Sequence, residues 1–366
     1  MYNDSLNKLT QDAIELLKKL ISTPSFSKEE DQTASLLCHF LGTRGIEHSR
    51  IENNVYAYNK YHDPKKPTIL LNSHHDTVKP NKSYTLEPFI PIIKDGKLYG
   101  LGSNDAGGPL VSLIATFLFY YNKTDLNYNL LLAATAEEEI SGHNGIEMLL
   151  PHIEAIDCAI VGEPTKMHMA VAERGLMVID CIAEGIAGHA AREEGDNAIY
   201  KAIKDIQWLN AYSFPKISSL LGPVKMSVTV INTDNKAHNV VPAQCQFVID
   251  TRINELYSFE QVLDVIRKNI TSVVKPRSTR LRSTSISTDH PLVKSGTSLG
   301  RDSYGSPTTS DKALMPFPSL KMGPGDSARS HTADEFIFIS EIEEGISLYI
   351  KLLDAVLKGD PRRIWA

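Results

Sequence analysis

Cysteine is scarce in this 366-residue sequence, and its four copies lie far apart without forming a CxxC pair. We therefore predict free, buried thiols in a reducing compartment rather than disulfides. Long hydrophobic runs are also missing, because the longest largely apolar stretch, residues 109–121, is shorter than the ~20 residues that span a bilayer. This stretch predicts a buried helix, and the sequence predicts no membrane association.

An export signal and an excess of positive charge are lacking too. The first residues, MYNDSLNKLT, are polar and acidic where an export signal would be basic and then apolar, so we expect a cytoplasmic protein. The 38 Lys and Arg residues stand against 44 Asp and Glu residues, which gives a net charge of −6 and no general attraction to polyanions. The basic run over 268–282 is more typical of a solvated face. We predict no nucleic-acid partner.

The sequence does contain a globular core, since 42% of its residues are hydrophobic and 22% are charged. Its length is near that of two domains of ~150 residues. Apolar positions at three-to-four spacing over 5–21 and 29–42 predict amphipathic helices at the start of the chain. Almost wholly apolar runs predict strands buried on both faces: 68–72, 129–135 and 158–161. With 109–121 as a crossover helix, we predict an α/β fold whose mostly parallel sheet has helices on both faces.

The pattern changes after residue 175 to longer strands that alternate polar and apolar residues: MVIDCIAEG, KMSVTVINT and CQFVIDTRI. Two helical segments, 196–208 and 258–270, interrupt these strands, which predicts an inserted α+β domain. The character of the first part resumes near residue 290 and ends in a helix over 341–358. The predicted domains are a catalytic, metal-binding domain of residues 1–175 and 287–366 and an inserted domain of residues 176–286.

Acidic and imidazole side chains follow directly after apolar runs in five segments of the chain. They are SHHDT with His74 and Asp76, GSNDAGG with Asp105, TAEEE with residues 137–139, VGEPT with Glu163, and SHTADE with His331. In a parallel sheet such strand ends converge on one crevice. Clustered carboxylates repel each other and cannot all stay ionised unless cations neutralise them. The sequence therefore predicts a metal site at this edge of the sheet.

The predicted ligands are imidazoles and carboxylates without cysteine, a set that suits zinc, cobalt or manganese. We expect zinc, and a pair of ions needs a carboxylate that bridges them. Each segment alone has a simpler interpretation, because a histidine at a strand end can satisfy backbone groups and three glutamates can begin a solvated helix. The five segments taken together, in this order, favour the metal site.

These segments resemble the co-catalytic zinc hydrolases, a family that includes acetylornithine deacetylase, succinyl-diaminopimelate desuccinylase, aminoacylase and carboxypeptidase G. The resemblance covers nearly the whole chain, with the motifs in family order. It implies that His74 is a ligand of a first metal ion, that Asp76 orients His74, and that Asp105 bridges two ions. Family members often have Met-Lys-Gly after the aspartate, whereas this chain has Ala-Gly-Gly, so any role of that lysine is absent here.

The same resemblance assigns the remaining residues of the site. The TAEEE segment aligns Glu138 with the family's catalytic glutamate, the general base, and Glu139 with a ligand of the second metal ion. It implies that Glu163 completes the first ion's ligands and that His331 completes those of the second. Each ion then has one imidazole, one terminal carboxylate and a share of Asp105.

Three residues of the inserted domain also match the family, and the resemblance implies that this domain forms a homodimer. His189 would reach into the neighbouring subunit's site and, with Asn239 and Arg252, hold the carbonyl oxygen or the carboxylate of the substrate. From the residues alone, His189 could equally be a surface or core histidine, and Arg252 could form a structural ion pair. Family members often have a proline shortly after this histidine, whereas this chain continues with Arg192, Glu193 and Glu194.

The resemblance implies an enzyme that removes the acyl group from a small N-acyl amino acid. The sequence is most like acetylornithine deacetylase, so we expect N2-acetyl-L-ornithine as the substrate, within arginine biosynthesis. The alternatives are N-succinyl-ornithine or N-succinyl-diaminopimelate, and then a dipeptide or tripeptide. A non-catalytic binding protein with this fold would lack a ligand or the base, whereas all six positions are filled with competent residues.

Overall fold

The structure is a computed structural model that describes residues 2–192 and 194–359. Residues 360–366, the end of the predicted catalytic domain, lie outside the described residues. The α-helices are α1 (Tyr2–Ile21), α2 (Asp31–Gly42), α3 (Gly108–Tyr120), α4 (Ile146–Leu149), α5 (Ala198–Ala211), α6 (Phe259–Asn269), α7 (Pro291–Ser298) and α8 (Ile339–Leu357). Among the described helices, none has the length and apolar character that crossing a membrane requires.

The strands of the described residues range from two to ten residues in length. They are β1 (Ser49–Ile51), β2 (Asn54–Tyr58), β3 (Thr68–His74), β4 (Ile92–Lys94), β5 (Lys97–Tyr99), β6 (Asn129–Thr135), β7 (Cys158–Val161), β8 (Met169–Glu173), β9 (Gly175–Glu184), β10 (Gly188–His189), β11 (Lys225–Asn232), β12 (Val240–Val241), β13 (Gln244–Ile253), β14 (Val273–Pro276), β15 (Thr284–Ser285), β16 (Ser303–Ser306), β17 (Ser319–Lys321) and β18 (Phe336–Phe338). The three apolar runs identified as strands are therefore β3, β6 and β7.

The chain divides into two compact units, of which the first contains residues 1–171, 286–304 and 310–366. Its main sheet has the order β1-β2-β6-β3-β7-β17-β8, with β6, β3, β7 and β17 mutually parallel. Alternate residues of β3 enter different cores: Ile69 and Leu71 pack in the large cluster with α1, α3 and α8, while Leu70 packs with Ile146 of α4. Both faces are thus covered by helices, which confirms the predicted fold class.

The second unit contains residues 172–285 and 305–309. Its sheet is antiparallel with the order β11-β13-β9-β14. Along β9, buried and half-buried residues alternate, and the buried ones pack in one cluster with residues of α5 and α6. Helix α6 begins at a capping box, in which Ser258 accepts a hydrogen bond from the Gln261 amide and Gln261 accepts one from the Ser258 amide.

The parallel strands of the first unit end side by side. His74, the last residue of β3, lies opposite Thr135, the last residue of β6. On the other side of β3, Asn72 pairs with Val161 at the end of β7. The residues that follow β6 and β7 therefore leave the sheet next to His74, and this arrangement builds the site.

Candidate metal centre

Three acidic side chains surround the His74 imidazole. Its Nε2 atom lies 3.4 Å from an oxygen of Asp105, 3.8 Å from Glu138 and 3.8 Å from Glu163. All four side chains are buried or nearly so. The carboxyl ends of β3, β6 and β7 and the 103–107 turn before α3 each contribute one of these groups.

His331 approaches the same cluster from the loop before β18. Its Nε2 atom donates a hydrogen bond to Glu139 at 2.9 Å and lies 3.7 Å from Asp105. The two carboxylate oxygens of Asp105 thus face two different imidazoles, Oδ1 toward His74 and Oδ2 toward His331. This is the placement that a carboxylate shared between two cations requires.

Asp76 holds both the imidazole of His74 and the backbone of the segment that carries Glu138 and Glu139. His74 Nδ1 lies 3.0 Å from the carbonyl oxygen of Asp76, so Nδ1 carries the proton of this hydrogen bond. The Asp76 carboxylate accepts hydrogen bonds from the backbone amides of Glu138 (3.1 Å) and Glu139 (3.2 Å) and from the Ser27 hydroxyl (2.7 Å). Burial raises the pKa of Asp76, but hydrogen bonding to His74 and the charge of that ring lower it below the usual value.

The remaining nitrogen of His74 fits a cation. Nδ1 is engaged as a donor, and Nε2 is buried and has no hydrogen-bond partner among the described residues, so Nε2 is the nitrogen available to a cation. Tetrahedral ligands at about 2.1 Å from a zinc ion lie roughly 3.4 Å apart, which is close to the spacing measured here. Two sets of side chains each offer ligand atoms that lie within 4.8 Å of one another: His74 with Glu138 and Glu163, and His74 with Asp105 and Glu139.

The electrostatics of the cluster also favour a cation. Burial raises the pKa of Glu138 well above the usual value, and the charges of Glu163 and Asp311 add to burial against the opposing effect of His74. Hydrogen bonding to Glu139 is the main cause that raises the pKa of His331 to about 9. Carboxylates with raised pKa values beside imidazoles that attract protons mark a place where positive charge is stabilised.

The sequence interpretation gave no role to two buried acids of the site. Glu335 lies before β18, and burial together with the charge of Asp105 raises its pKa to about 8. Asp311 accepts a hydrogen bond from the Thr135 hydroxyl at 2.7 Å, and burial raises its pKa to about 6. Glu335 stands four positions after His331, directly before an apolar strand, and this position was the available signal.

The predicted substrate residues belong to the second unit. His189 pairs with Val240 across the ribbon of β10 and β12, and the Ala190 amide donates to the carbonyl oxygen of Asn239, so His189 and Asn239 are brought together. Arg252 lies on β13 and makes a two-pronged contact with Asp250, at 2.7 and 3.0 Å. The ion pair considered for Arg252 in the sequence is therefore present.

The comparisons with known proteins identify the class. Residues 70–355 match the model of peptidase family M20/M25/M40, and the chain belongs to this family. Membership confirms the predicted zinc-dependent amide hydrolase, with a cofactor of divalent metal ions bound in pairs and typically zinc. It supports the family that the resemblance indicated, without distinguishing acetylornithine deacetylase within it.

The individual curated relatives share less than 30% of their aligned residues with this chain. The chain is 28% identical to succinyl-diaminopimelate desuccinylase 2 of Ruegeria sp. (strain TM1040) over 274 residues, or 70% of this chain and 69% of the relative. It is 24% identical over 375 residues to the succinyl-diaminopimelate desuccinylase of Cereibacter sphaeroides, covering 93% and 98% of the two chains.

Solved structures share the fold at low identity. An M20 family metallo-carboxypeptidase of Sulfolobus solfataricus has a TM-score of 0.73 at 16% identity, with 94% of this chain and 98% of that one covered. A tripeptidase of Staphylococcus aureus has a TM-score of 0.75 at 18% identity, with 96% and 99% covered. These likenesses confirm the fold.

Proposed function

We propose that this protein hydrolyses the amide bond of a small N-acylated amino acid at the cluster around His74. Two divalent ions would be held by His74, Asp105, Glu139, Glu163 and His331. The observation that carries the proposal is the buried Nε2 atom of His74, which has no hydrogen-bond partner among the described residues and lies within 3.8 Å of three carboxylates. Neutral protein groups cannot satisfy such an arrangement, whereas divalent cations do.

Glu138 is the general base in this proposal. When bound, the metal ions lower the pKa of a coordinated water and polarise the scissile carbonyl group. Glu138 shares the cluster with His74 and Glu163, where its carboxylate would accept a proton from the coordinated water and return it to the leaving nitrogen. The Asp76 carboxylate holds the backbone amide of Glu138 and so limits the movement of this base.

The second unit would supply contacts to the substrate. His189 would donate a hydrogen bond to the carbonyl oxygen, on which negative charge develops during hydrolysis. Asn239, whose backbone adjoins His189, and Arg252, held by Asp250, would bind the substrate's polar groups. His189 would act in the site of a second copy of the chain, so the proposal includes a homodimer formed by the domain of residues 176–286.

The acyl group removed from the substrate is acetyl or succinyl, and a different observation favours each. Acetyl, on N2-acetyl-L-ornithine, needs no additional cation. Of the three cations that could bind a further carboxylate, Arg192, Arg252 and Lys312, two are engaged: Arg252 binds Asp250, and the buried Lys312 donates to the carbonyl oxygen of Ala170. Succinyl, on ornithine or diaminopimelate, is favoured by the names of the curated relatives. A succinyl group adds a carboxylate that one of these cations would have to bind.

A substrate panel tests the proposal. Zinc-loaded protein is incubated with N2-acetyl-L-ornithine, N-succinyl-L-ornithine, N-succinyl-diaminopimelate and a dipeptide, and the released amine is quantified. We expect one acylated amino acid to be cleaved with a kcat/KM at least ~10-fold above the others, and Glu138→Gln to lose this cleavage. Protein that binds two zinc ions yet cleaves no member of the panel contradicts the proposed substrate class.

A further inference from the structure

Glu335 accepts hydrogen bonds from several backbone amides of the loop that carries Asp105. Its Oε1 accepts hydrogen bonds from the amides of Asn104 (2.8 Å) and Asp105 (2.9 Å), and its Oε2 accepts one from the amide of Gly102 (3.1 Å). Its backbone oxygen accepts a fourth from the amide of Gly100, at 3.0 Å. Both carboxylate oxygens and the main chain of one residue thus bind a single loop.

The loop needs acceptors from outside itself. Gly102 has a φ of +73°, in the left-handed region, and a helical turn begins directly after it at Ser103. Within the loop the amide of Ser103 donates to the carbonyl oxygen of Gly100, whereas the amides of Gly102, Asn104 and Asp105 donate to Glu335. The Gly102 conformation also leaves no room for a side chain, because a Cβ atom would lie 2.5 Å from Thr77.

The carboxylate of Glu335 is energetically costly to bury beside this loop. Its side chain is 2% exposed, and transfer of a carboxylate into the interior is unfavourable unless donors compensate it. Three backbone donors offset part of this cost. A neutral side chain could fill the same volume without this cost, so the carboxylate has a use beyond packing.

The position of Glu335 connects two parts of the metal centre. Four residues before it, His331 lies 3.7 Å from Asp105, and the amide of Asp105 is bound directly by the Glu335 carboxylate. The segment 331–335 therefore contacts Asp105 on both its side chain and its backbone. The same short segment thus lies against both parts of Asp105.

We propose that Glu335 is a positioning residue that orients Asp105 between His74 and His331 and thereby sets the affinity of the site for its second metal ion. This rests on the proposed function, in which Asp105 is the shared ligand. Replacement by glutamine keeps the shape but turns one acceptor into an N–H donor that opposes at least one loop amide. Losses of this kind around metal ligands typically reduce metal affinity about 10- to 100-fold.

The test compares Glu335→Gln with a matched control. Asp205 is a buried carboxylate of the second unit that accepts hydrogen bonds from the amides of Thr271 and Ser272. Asp205→Asn therefore makes the same chemical change in another amide-binding acid. Metal-free forms of both variants and the wild type are titrated with Zn²⁺ by calorimetry, and their unfolding is followed by denaturant.

We expect Glu335→Gln to bind the second Zn²⁺ at least 10-fold more weakly, whereas Asp205→Asn keeps wild-type zinc affinity despite reduced stability. Equal zinc affinities in the wild type and Glu335→Gln overturn the proposal. If Glu335→Gln does not fold, Glu335→Asp is titrated, since it keeps the charge and shortens the reach, and wild-type affinity there also overturns it.

Asp105→Ala, measured in parallel, separates this proposal from the proposed function. Loss of the second Zn²⁺ in Asp105→Ala together with normal binding in Glu335→Gln refutes the role of Glu335 alone. Normal binding in Asp105→Ala refutes the shared ligand and, with it, both proposals. Weaker binding in both variants, with Asp205→Asn unchanged, supports both.

Discussion

The two units hold the side chains proposed for metal binding and for substrate contact in different ways. In the first unit, the cluster begins at the end of β3, a strand in which every residue is buried, and carboxylates such as Asp76 and Glu335 bind the backbone of the segments that carry the other acids. In the second unit, Asn239 and His189 lie on an exposed two-stranded ribbon. One set is embedded in a core, and the other is displayed on a surface.

This contrast reflects two physical requirements. A metal site needs several ligand atoms held within a few tenths of an ångström, and only support from many directions provides that. A residue that contacts substrate must remain accessible, so it cannot be enclosed in the same way. We therefore expect changes at the metal ligands and their supporting acids in the first unit to affect metal binding and chemistry together, and changes at the ribbon of the second unit to affect turnover alone.

Removal of the metal ions is expected to have the largest effect. Dialysis against a strong chelator should abolish hydrolysis and lower the melting temperature of the first unit, because the clustered carboxylates then repel each other without compensation. Calorimetric scans and amine release measure the two effects. Added Zn²⁺ should restore both, and full turnover in protein shown by elemental analysis to be metal-free contradicts the metal requirement.

Replacement of the proposed base comes next. Glu138→Gln should lower kcat by about 10³-fold while two metal ions stay bound, because the amide cannot take a proton from water. Elemental analysis and steady-state kinetics provide the measurement. Glu343→Gln, at an exposed position of α8, is the control and should match the wild type. If Glu138→Gln retains turnover, the base must be sought elsewhere in the cluster.

A change in the ribbon of the second unit should affect turnover without affecting the metals. His189→Ala is expected to lower kcat about 10²-fold through loss of a hydrogen bond to the developing oxyanion, with zinc affinity unchanged. His238→Ala removes an exposed histidine next to Asn239 and is the matched control. Weaker zinc binding in His189→Ala, or equal kcat in the two variants, would break the contrast between the units.

The smallest expected effect concerns stability within the second unit. Ser258→Ala removes the capping box of α6 and should reduce the free energy of unfolding by about 1 kcal/mol, with kcat and metal content unchanged. Denaturant unfolding measures this loss. Ser22→Ala, at an exposed serine of the first unit, should alter stability by less than about 0.5 kcal/mol. A similar loss in both variants would argue against the cap.

Much of the first unit could be predicted from the sequence because its signals are local. The apolar runs at 129–135 and 158–161 coincide with β6 and β7, since strands buried on both faces leave continuous apolar segments. The run at 68–72 stops two residues before the end of β3, because Ser73 and His74 are buried polar residues that the pattern reads as loop.

The acidic side chains that hold the site in place through hydrogen bonds could not be predicted in the same way. Glu335 and Asp311 act through hydrogen bonds to Asp105 and Thr135, which are 230 and 176 positions away in the chain, and no local spacing encodes such contacts. The second role of Asp76, which holds the amides of Glu138 and Glu139, was missed for the same reason. Acidic side chains that bind backbone amides can be recognised only from the three-dimensional arrangement of the loops.

The complete burial of β3 limits how this enzyme can acquire a new specificity. His74 ends a strand whose other residues interlock with helices on both sides, so any displacement of its ring would have to propagate through two cores. Directed evolution toward other acyl groups should therefore leave the 68–76 segment untouched. Beneficial substitutions should accumulate in surface-exposed segments such as 186–192 and 233–239, where a changed side chain disturbs little else.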